Sequence, residues 1–479
     1  MQSRLRAINL GLLCALSIGC SDSGDDDDDD GQSSSSARAA DWGYKTGLQF
    51  AELKEYRSEN GVLEVELEPK ERDVNISGGN VRGTVYNDAF VGPTLHLSPG
   101  ESLHLKLKNG LKQHTNVHYH GMHVSPEGNS DNIFLMIEPG ETQDYVVDVP
   151  ADHDVGTFWY HSHMHMDSES QVFGGLSGVL IIDGLEKLLP DAYQDIPQHL
   201  FALKDLQVKD GAIVADNIDS NAPTVRTVNG LVEPKLSMRP GETQLWRLAN
   251  ISADIYYNAA FAAQAFVVIA EDGNPVEQPW TAFNLIMPPG KRFDVIVRAP
   301  LDSGSYVLET VSYSQGDDVY PRAVLVNVEV KGGTMDALAP LAQGLVAPSN
   351  VYSGEVAQQR EWTFSESEKD NTFAINGMSF DVDRIDAMPK LGSLEEWTIR
   401  NTTNEQHPFH IHINDFRVLS VNGTPYTNHG EQDTVVLPPG GGEVVIRLPF
   451  LDFTGKFVFH CHILAHEDGG MMTVVEVVP

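Results

Sequence analysis

The stretch from residue 95 to residue 107, Leu95-His96-Leu97-Ser98-Pro99-Gly100-Glu101-Ser102-Leu103-His104-Leu105-Lys106-Leu107, alternates apolar and polar side chains on both sides of a Pro-Gly turn. Alternation of period two sends every second side chain to one face, so the arms predict two β-strands, each with one buried face. The unit returns twice. Val228-Asn229-Gly230 through Leu236, Arg239-Pro240-Gly241-Glu242 and Leu245-Trp246-Arg247-Leu248-Ala249-Asn250 echo it, as do Ile375-Asn376-Gly377 through Leu391-Gly392 and Trp397-Thr398-Ile399-Arg400-Asn401. The copies lie about one domain length apart, roughly 150 residues. Helical periodicity is scarce between them, and the fold class that follows is all-β, with three β-sandwich domains in tandem.

Gly184 and the strand-poor stretch from Gly333 to Pro348 mark the breaks, so the domains are expected at 41–184, 185–345 and 346–479. The first 20 residues stand apart: Arg4 and Arg6 precede an apolar run from Ala7 to Ile18, the form of a secretory signal peptide. Ser17-Ile18-Gly19-Cys20 resembles a bacterial lipobox, except that Ser17 stands where that pattern usually has Leu. Acylation of Cys20 and plain cleavage to a soluble periplasmic protein both remain open. Residues 21–40, with Asp25 to Asp30 and Ser33 to Ser36, read as a disordered tether, which favours an exported periplasmic lipoprotein that meets the membrane only through a lipid at Cys20.

The formal net charge of −36 argues against nucleic acid or anionic lipid as partner. Of the three cysteines, Cys14, Cys20 and Cys461, only Cys461 remains as a free thiol after processing, so no intrachain disulfide is available. A lone thiol kept in an oxidising compartment points to ligation.

The three copies diverge just after the strand that ends in Asn. The first continues to His118-Tyr119-His120-Gly121 and the third to His407-Pro408-Phe409-His410-Ile411-His412, whereas the second has Ile255-Tyr256-Tyr257-Asn258. The outer domains are therefore expected to carry metal ligands and the middle one to act as a spacer. His161-x-His163 and His460-Cys461-His462-x-x-x-His466 complete four clusters, two in each outer domain. A His-x-His pair on a strand turns both imidazoles to one face, as a shared metal or metal pair requires.

Within Phe459-His460-Cys461-His462-Ile463-Leu464-Ala465-His466-Glu467-Asp468-Gly469-Gly470-Met471-Met472, Cys461 offers a thiolate, His466 an imidazole and Met471 a thioether. A trigonal His₂Cys site with a weak axial Met is the signature of blue copper. His460 and His462 point away from Cys461 on an extended strand and must serve something on its other face, which would make the peptide at Cys461 a short covalent link between two metal centres.

The four motifs, in this order, resemble those of the multicopper oxidases, over nearly the whole chain after the tether. The resemblance implies cupredoxin-like Greek-key domains and four coppers per chain. It implies that His407, Cys461 and His466 bind a type 1 copper with Met471 axial, Met472 being the rival for that place. His118 and His410 would bind a type 2 copper, and His120, His161, His163, His412, His460 and His462 a type 3 pair. Glu467 and Asp131 stand where the family keeps proton-carrying carboxylates. The implied reaction is laccase-like: one-electron oxidation of phenolic or aromatic reductants coupled to four-electron reduction of O₂ to water.

A periplasmic cuprous or metal-ion oxidase is the alternative activity, although no long methionine-rich segment is present; Met122, Met136, Met164 and Met166 are scattered. A copper nitrite reductase resembles a shorter arrangement without the full motif set. A copper-sequestering lipoprotein is the non-enzymatic alternative, and it would have no use for Cys461 between two histidines. His96, His104, His114, His153, His199 and His429 are isolated and read as ordinary surface or packed residues; His123 and His165 lie beside the motifs but outside their pattern.

Overall fold

The two arms of the opening unit form strands in different sheets: Thr94–Leu97 lies inside a five-stranded sheet, and Ser102–Lys108 is the centre of a three-stranded one. The Pro-Gly turn thus carries the chain from one layer of a sandwich to the other. Both later copies do the same. Lys235–Met238 belongs to a five-stranded sheet and Thr243–Asn250 to a six-stranded one, and Ile385–Ala387 and Ser393–Asn401 divide in the same way. This computed structural model describes residues 42–479 except 217, 220, 221, 342 and 368–371. The expected signal peptide, lipobox and tether lie outside the described residues.

The inward faces match the alternation. Leu95, Leu97, Leu103, Leu105 and Leu107 join Tyr119, Phe158 and Leu180 in the core of the first sandwich. In the second and third, one device recurs. Trp246 and Trp397 are fully buried, and each indole N–H donates at 2.8 Å to the side chain two residues back, Gln244 and Glu395. Period two puts that acceptor on the tryptophan's own face, so the only polar atom of a large apolar ring is satisfied inside the core. By area, each buried ring stabilises the fold by roughly 4–6 kcal/mol. The cores of the second and third sandwiches merge into one hydrophobic cluster.

Helices are short. Ser168–Gly174 and Leu464–Asp468 meet where the first and last domains join: the Ser168 and Glu169 N–H groups donate to the Asp468 carboxylate at 3.3 and 2.9 Å. The negative side chain meets unpaired N–H groups at a helix start, which favours the contact. It also fixes the end of the loop that follows His163. No helix among the described residues is long and apolar enough to cross a membrane.

Candidate metal centre

Strand pairing decides which side chains meet. His118 lies opposite His161, and His120 opposite Trp159, across the pair His118–His120 and Gly156–His161. In the last domain Phe409 lies opposite Cys461, and His410 opposite His460. Residues opposite each other in an antiparallel pair share a face, and neighbours alternate. His410, His412, His460 and His462 therefore emerge on one face of their sheet, while His407, Phe409 and Cys461 turn inward to the core. The outward set meets the histidines of the first domain: His118 stacks on His412, and His120 on His410, each with ring centroids 3.7 Å apart. All eight imidazoles, the four from the first domain and these four, are buried.

Four of these rings are held at Nδ1. His118 Nδ1 donates to Asp131 at 2.9 Å, His161 Nδ1 to Ser162 O at 2.8 Å, His410 Nδ1 to Asp433 O at 3.0 Å and His460 Nδ1 to Cys461 O at 2.9 Å. The Nε2 atoms of His118, His161 and His410 are buried without a hydrogen-bond partner. His460 Nε2 lies 3.2 Å from both His163 Nε2 and His412 Nε2, and His462 Nε2 lies 3.2 Å from His120 Nδ1. Burial, reinforced by the mutual repulsion of the rings, pushes His118, His120, His163, His412 and His462 well below the ordinary imidazole value, and burial carries His161 down to about 3. Neutral rings with converging, otherwise orphaned lone pairs are what a cation of imidazole preference needs, because unpaired buried nitrogens are costly without one.

The inward set forms a second, smaller site. Cys461 Sγ is 3.4 Å from His407 Nδ1 and 3.6 Å from His466 Nδ1, and the two nitrogens are 3.2 Å apart. A hydroxyl holds one ring from behind, with Thr403 Oγ1 2.8 Å from His407 Nε2. Burial raises the Cys461 thiol well above its usual value, so only a bound cation would keep it as thiolate. Cys461 N–H donates to Met471 O at 3.0 Å, and Met471 shares the core cluster of Cys461, Phe409 and Ile463. Met472 lies opposite His460 and packs with Ile133, Val458 and Val474 on the other face. A thiolate, two imidazoles and a thioether form a donor set suited to copper.

Three segments of the chain match sequence models of one family, described as multicopper oxidase, over residues 69–187, 190–329 and 353–479. The chain belongs to the multicopper oxidase family. It is 30% identical over 451 residues to the multicopper oxidase mco of Staphylococcus haemolyticus, covering 90% of this chain and 93% of that one. The laccase of Bacillus subtilis is 25% identical over 470 residues, covering 82% and 89%. Among solved structures, the multicopper oxidase of Campylobacter jejuni, a metallo-oxidase, superposes with a TM-score of 0.78 at 28% identity, covering 91% and 96%.

The structure brings every histidine of the four motifs in this oxidase into one of the two sites, together with both carboxylates. Asp131 is buried, accepts hydrogen bonds from His118 and the Tyr119 N–H, and is pushed up to about 8 by burial. Glu467 is fully buried; its Oε1 accepts from Ser168 Oγ at 3.0 Å and lies 3.4 Å from His163 Nδ1, and its Oε2 lies 3.3 Å from His460 Nδ1. Burial raises it well above the carboxylate range. His123 donates from Nδ1 to Ile413 O at 2.7 Å, tying the first domain to the last, and His165 meets the Phe380 ring edge to face.

Several residues that position the sites carry no motif. Asp433 holds His410 and lies 3.2 Å from His120 Nε2; burial opposes its charge, but Arg292 and His410 hold it well below the carboxylate range. Glu405 faces His466, and the Phe373 ring stacks on His466 at 4.3 Å. The middle domain was expected to be a spacer. Among its described residues no ligand-type set converges, yet its Ala253 O and Asp254 accept the Leu464 and Ala465 N–H groups at 3.2 Å, which fixes the helix bearing His466 and Glu467.

Proposed function

We propose that this oxidase is laccase-like, coupling one-electron oxidation of phenolic and aromatic reductants to four-electron reduction of O₂ to water. The assignment is one type 1 copper at His407, Cys461, His466 and Met471, and one type 2 copper at His118 and His410. The type 3 pair lies at His163, His412 and His460, and at His120, His161 and His462. Bound copper supplies one-electron redox chemistry, and four such ions match the electron count of O₂ reduction. The observation that carries the reading is Cys461 itself: its thiol lies in the inward triangle, while the residues bonded to it on either side, His460 and His462, turn to the opposite site. A sequestering protein gains nothing from that covalent link.

The residues divide the work. His466 is the ligand on the solvent side, its side chain 12% exposed against 0% for His407, so a reductant meets its edge. Glu467, buried behind His163 and His460 and hydrogen-bonded to Ser168, is suited to hold a proton there, and Asp131 does the same behind His118. The domain limits 41–184, 185–345 and 346–479, and export to the periplasm on a lipid at Cys20, belong to the same proposal.

Oxidation of cuprous or other metal ions is the second reading. It is favoured by the Glu405 carboxylate beside the His466 edge, a group that would attract a cation. The deciding experiment is oxygen uptake by the copper-loaded protein, with a simple phenol and chelated Cu(I) supplied in parallel and the blue band recorded on the same sample. Uptake with phenol and little with Cu(I) supports the laccase-like reading, and the reverse supports metal oxidation. No uptake with either from a fully loaded blue protein would return the sequestering alternative.

A further inference from the structure

Arg292 comes from the middle domain, yet its guanidinium is fully buried and reaches residues of both outer domains, Thr157 and Asp433. Nε donates to Thr157 O at 3.1 Å, Nη1 to Gly290 O at 3.0 Å and Asp433 Oδ1 at 2.9 Å, and Nη2 to Asp272 O at 2.7 Å, with Asp433 Oδ2 also 2.7 Å from Nη2. The planar fork meets one carboxylate on two nitrogens and gives its other donors to three peptide carbonyls from two domains. A lysine ammonium cannot reproduce that set.

What the clamp holds is Asp433. Its main-chain oxygen accepts from His410 Nδ1 at 3.0 Å, and its Oδ1 lies 3.2 Å from His120 Nε2 and accepts from Thr434 Oγ1 at 2.7 Å. One residue therefore places hydrogen on Nδ1 of one ring and on Nε2 of the other. The lone pairs left over are His410 Nε2, buried without a partner, and His120 Nδ1, 3.2 Å from His462 Nε2. These two rings are the stacked pair at 3.7 Å, so a tilt of one displaces the other. Lys291, next in the chain, closes the clamp from behind: Nζ donates to Asp272 Oδ2 at 2.9 Å and Thr434 O at 3.0 Å, and Asp272 Oδ2 accepts the Asp433 and Thr434 N–H groups at 3.2 Å. Gly290 packs so closely that a Cβ there would sit 3.0 Å from His120 Cε1 and 3.1 Å from His462 Cδ2.

We infer that Arg292 and Asp433 are positioning residues, through which the middle domain sets the tautomer and tilt of His120 and His410 and so the geometry of the type 2 site and one type 3 site. The inference rests on the oxidase reading above. Its test uses the copper-loaded full chain with Arg292→Lys, Asp433→Asn and, as control, Arg247→Lys, a buried arginine that pairs with Asp294 at 3.2 Å and touches no motif histidine. The readouts are the blue band, the type 2 electron paramagnetic resonance hyperfine splitting, and the type 2 copper retained on dialysis. Arg292→Lys and Asp433→Asn are expected to keep the blue band while the hyperfine splitting changes and type 2 affinity falls by roughly 10-fold; Arg247→Lys keeps all three. A type 2 signal in Arg292→Lys equal to that of the control overturns the inference. So does loss of the blue band together with the type 2 signal, because the arginine would then be a strut for the whole fold. A wild-type chain that shows no blue band when loaded with copper defeats the oxidase reading itself, and this inference with it.

Discussion

Glu405 Oε1 lies 3.3 Å from Nε2 of His466, the ring whose other nitrogen faces Cys461. Glu405 is itself buried, and burial pushes it up to about 7, so the negative charge it puts beside the His466 edge grows as pH rises through that value. Glu405→Gln is expected to lower kcat/KM for chelated Cu(I) several-fold and to leave a neutral phenol within twofold, measured as oxygen uptake. Equal losses for both reductants would give Glu405 only a structural role.

The two methionines after Gly470 are separated by face. Met471 O accepts the Cys461 N–H and its side chain belongs to the same core, whereas Met472 opposes His460. Met471→Leu is expected to shift the blue band and the potential of the proposed type 1 copper, since a thioether donor there would tune both, while Met472→Leu moves neither. A redox titration of the two variants decides it.

Glu467→Gln removes the buried carboxyl proposed to carry a proton behind His163 and His460 while keeping its shape. Reoxidation of the reduced, copper-loaded protein by O₂ should slow by roughly 100-fold with the blue band intact, a typical size for a lost proton donor. Stopped-flow recovery of the band measures this directly, and an unchanged rate removes Glu467 from the proton path.

Gly156 begins the strand that carries His161, and a Cβ there would lie 2.4 Å from Gly273 O. The obstacle is backbone from the middle domain, which cannot rotate aside. Gly156→Ala should destabilise the protein by about 2 kcal/mol through overpacking, read as a lower Tm. Gly211→Ala, where no atom lies within 4 Å of the added Cβ, changes backbone strain alone and is the comparison.

Lys204 is fully buried, with its Nζ against Val172 O and Ser177 Oγ, and burial pushes it down to about 7 from the ordinary lysine value. Between pH 7 and 10 the unfolded chain binds the proton that the folded chain has released, so this residue makes stability rise with pH across that window. Lys204→Met should remove its share of that slope in denaturant titrations of the apoprotein.

The strands and the ligand motifs were legible in the sequence because both are local. Period-two alternation predicts the faces at Leu95–Leu107, and His-x-His spacing predicts rings that share a side. The preference for Met471 over Met472 came from the family resemblance and not from the residues themselves, since it depends on which of them sits across the ladder from Cys461. Glu405, Asp433 and Arg292 had no signal at all: an acid or a base in a strand-rich chain is most often a solvated surface residue, and no spacing distinguishes these three.

The sequence by itself determined the fold class, the residue types of the donor sets and the family, since these follow from alternation and from motifs of rare residues. Only the tertiary structure decided which histidines converge. His120 and His462, 342 positions apart, meet at 3.2 Å because the first and last sandwiches pack directly against each other although a middle domain separates them in sequence, and side chains so distant share no local pattern. The same holds for the charges behind them, where Arg292 reaches Asp433 across 141 positions. A buried ion pair of that kind is stable only when every donor finds an acceptor, and packing supplies those acceptors from segments that no local pattern relates.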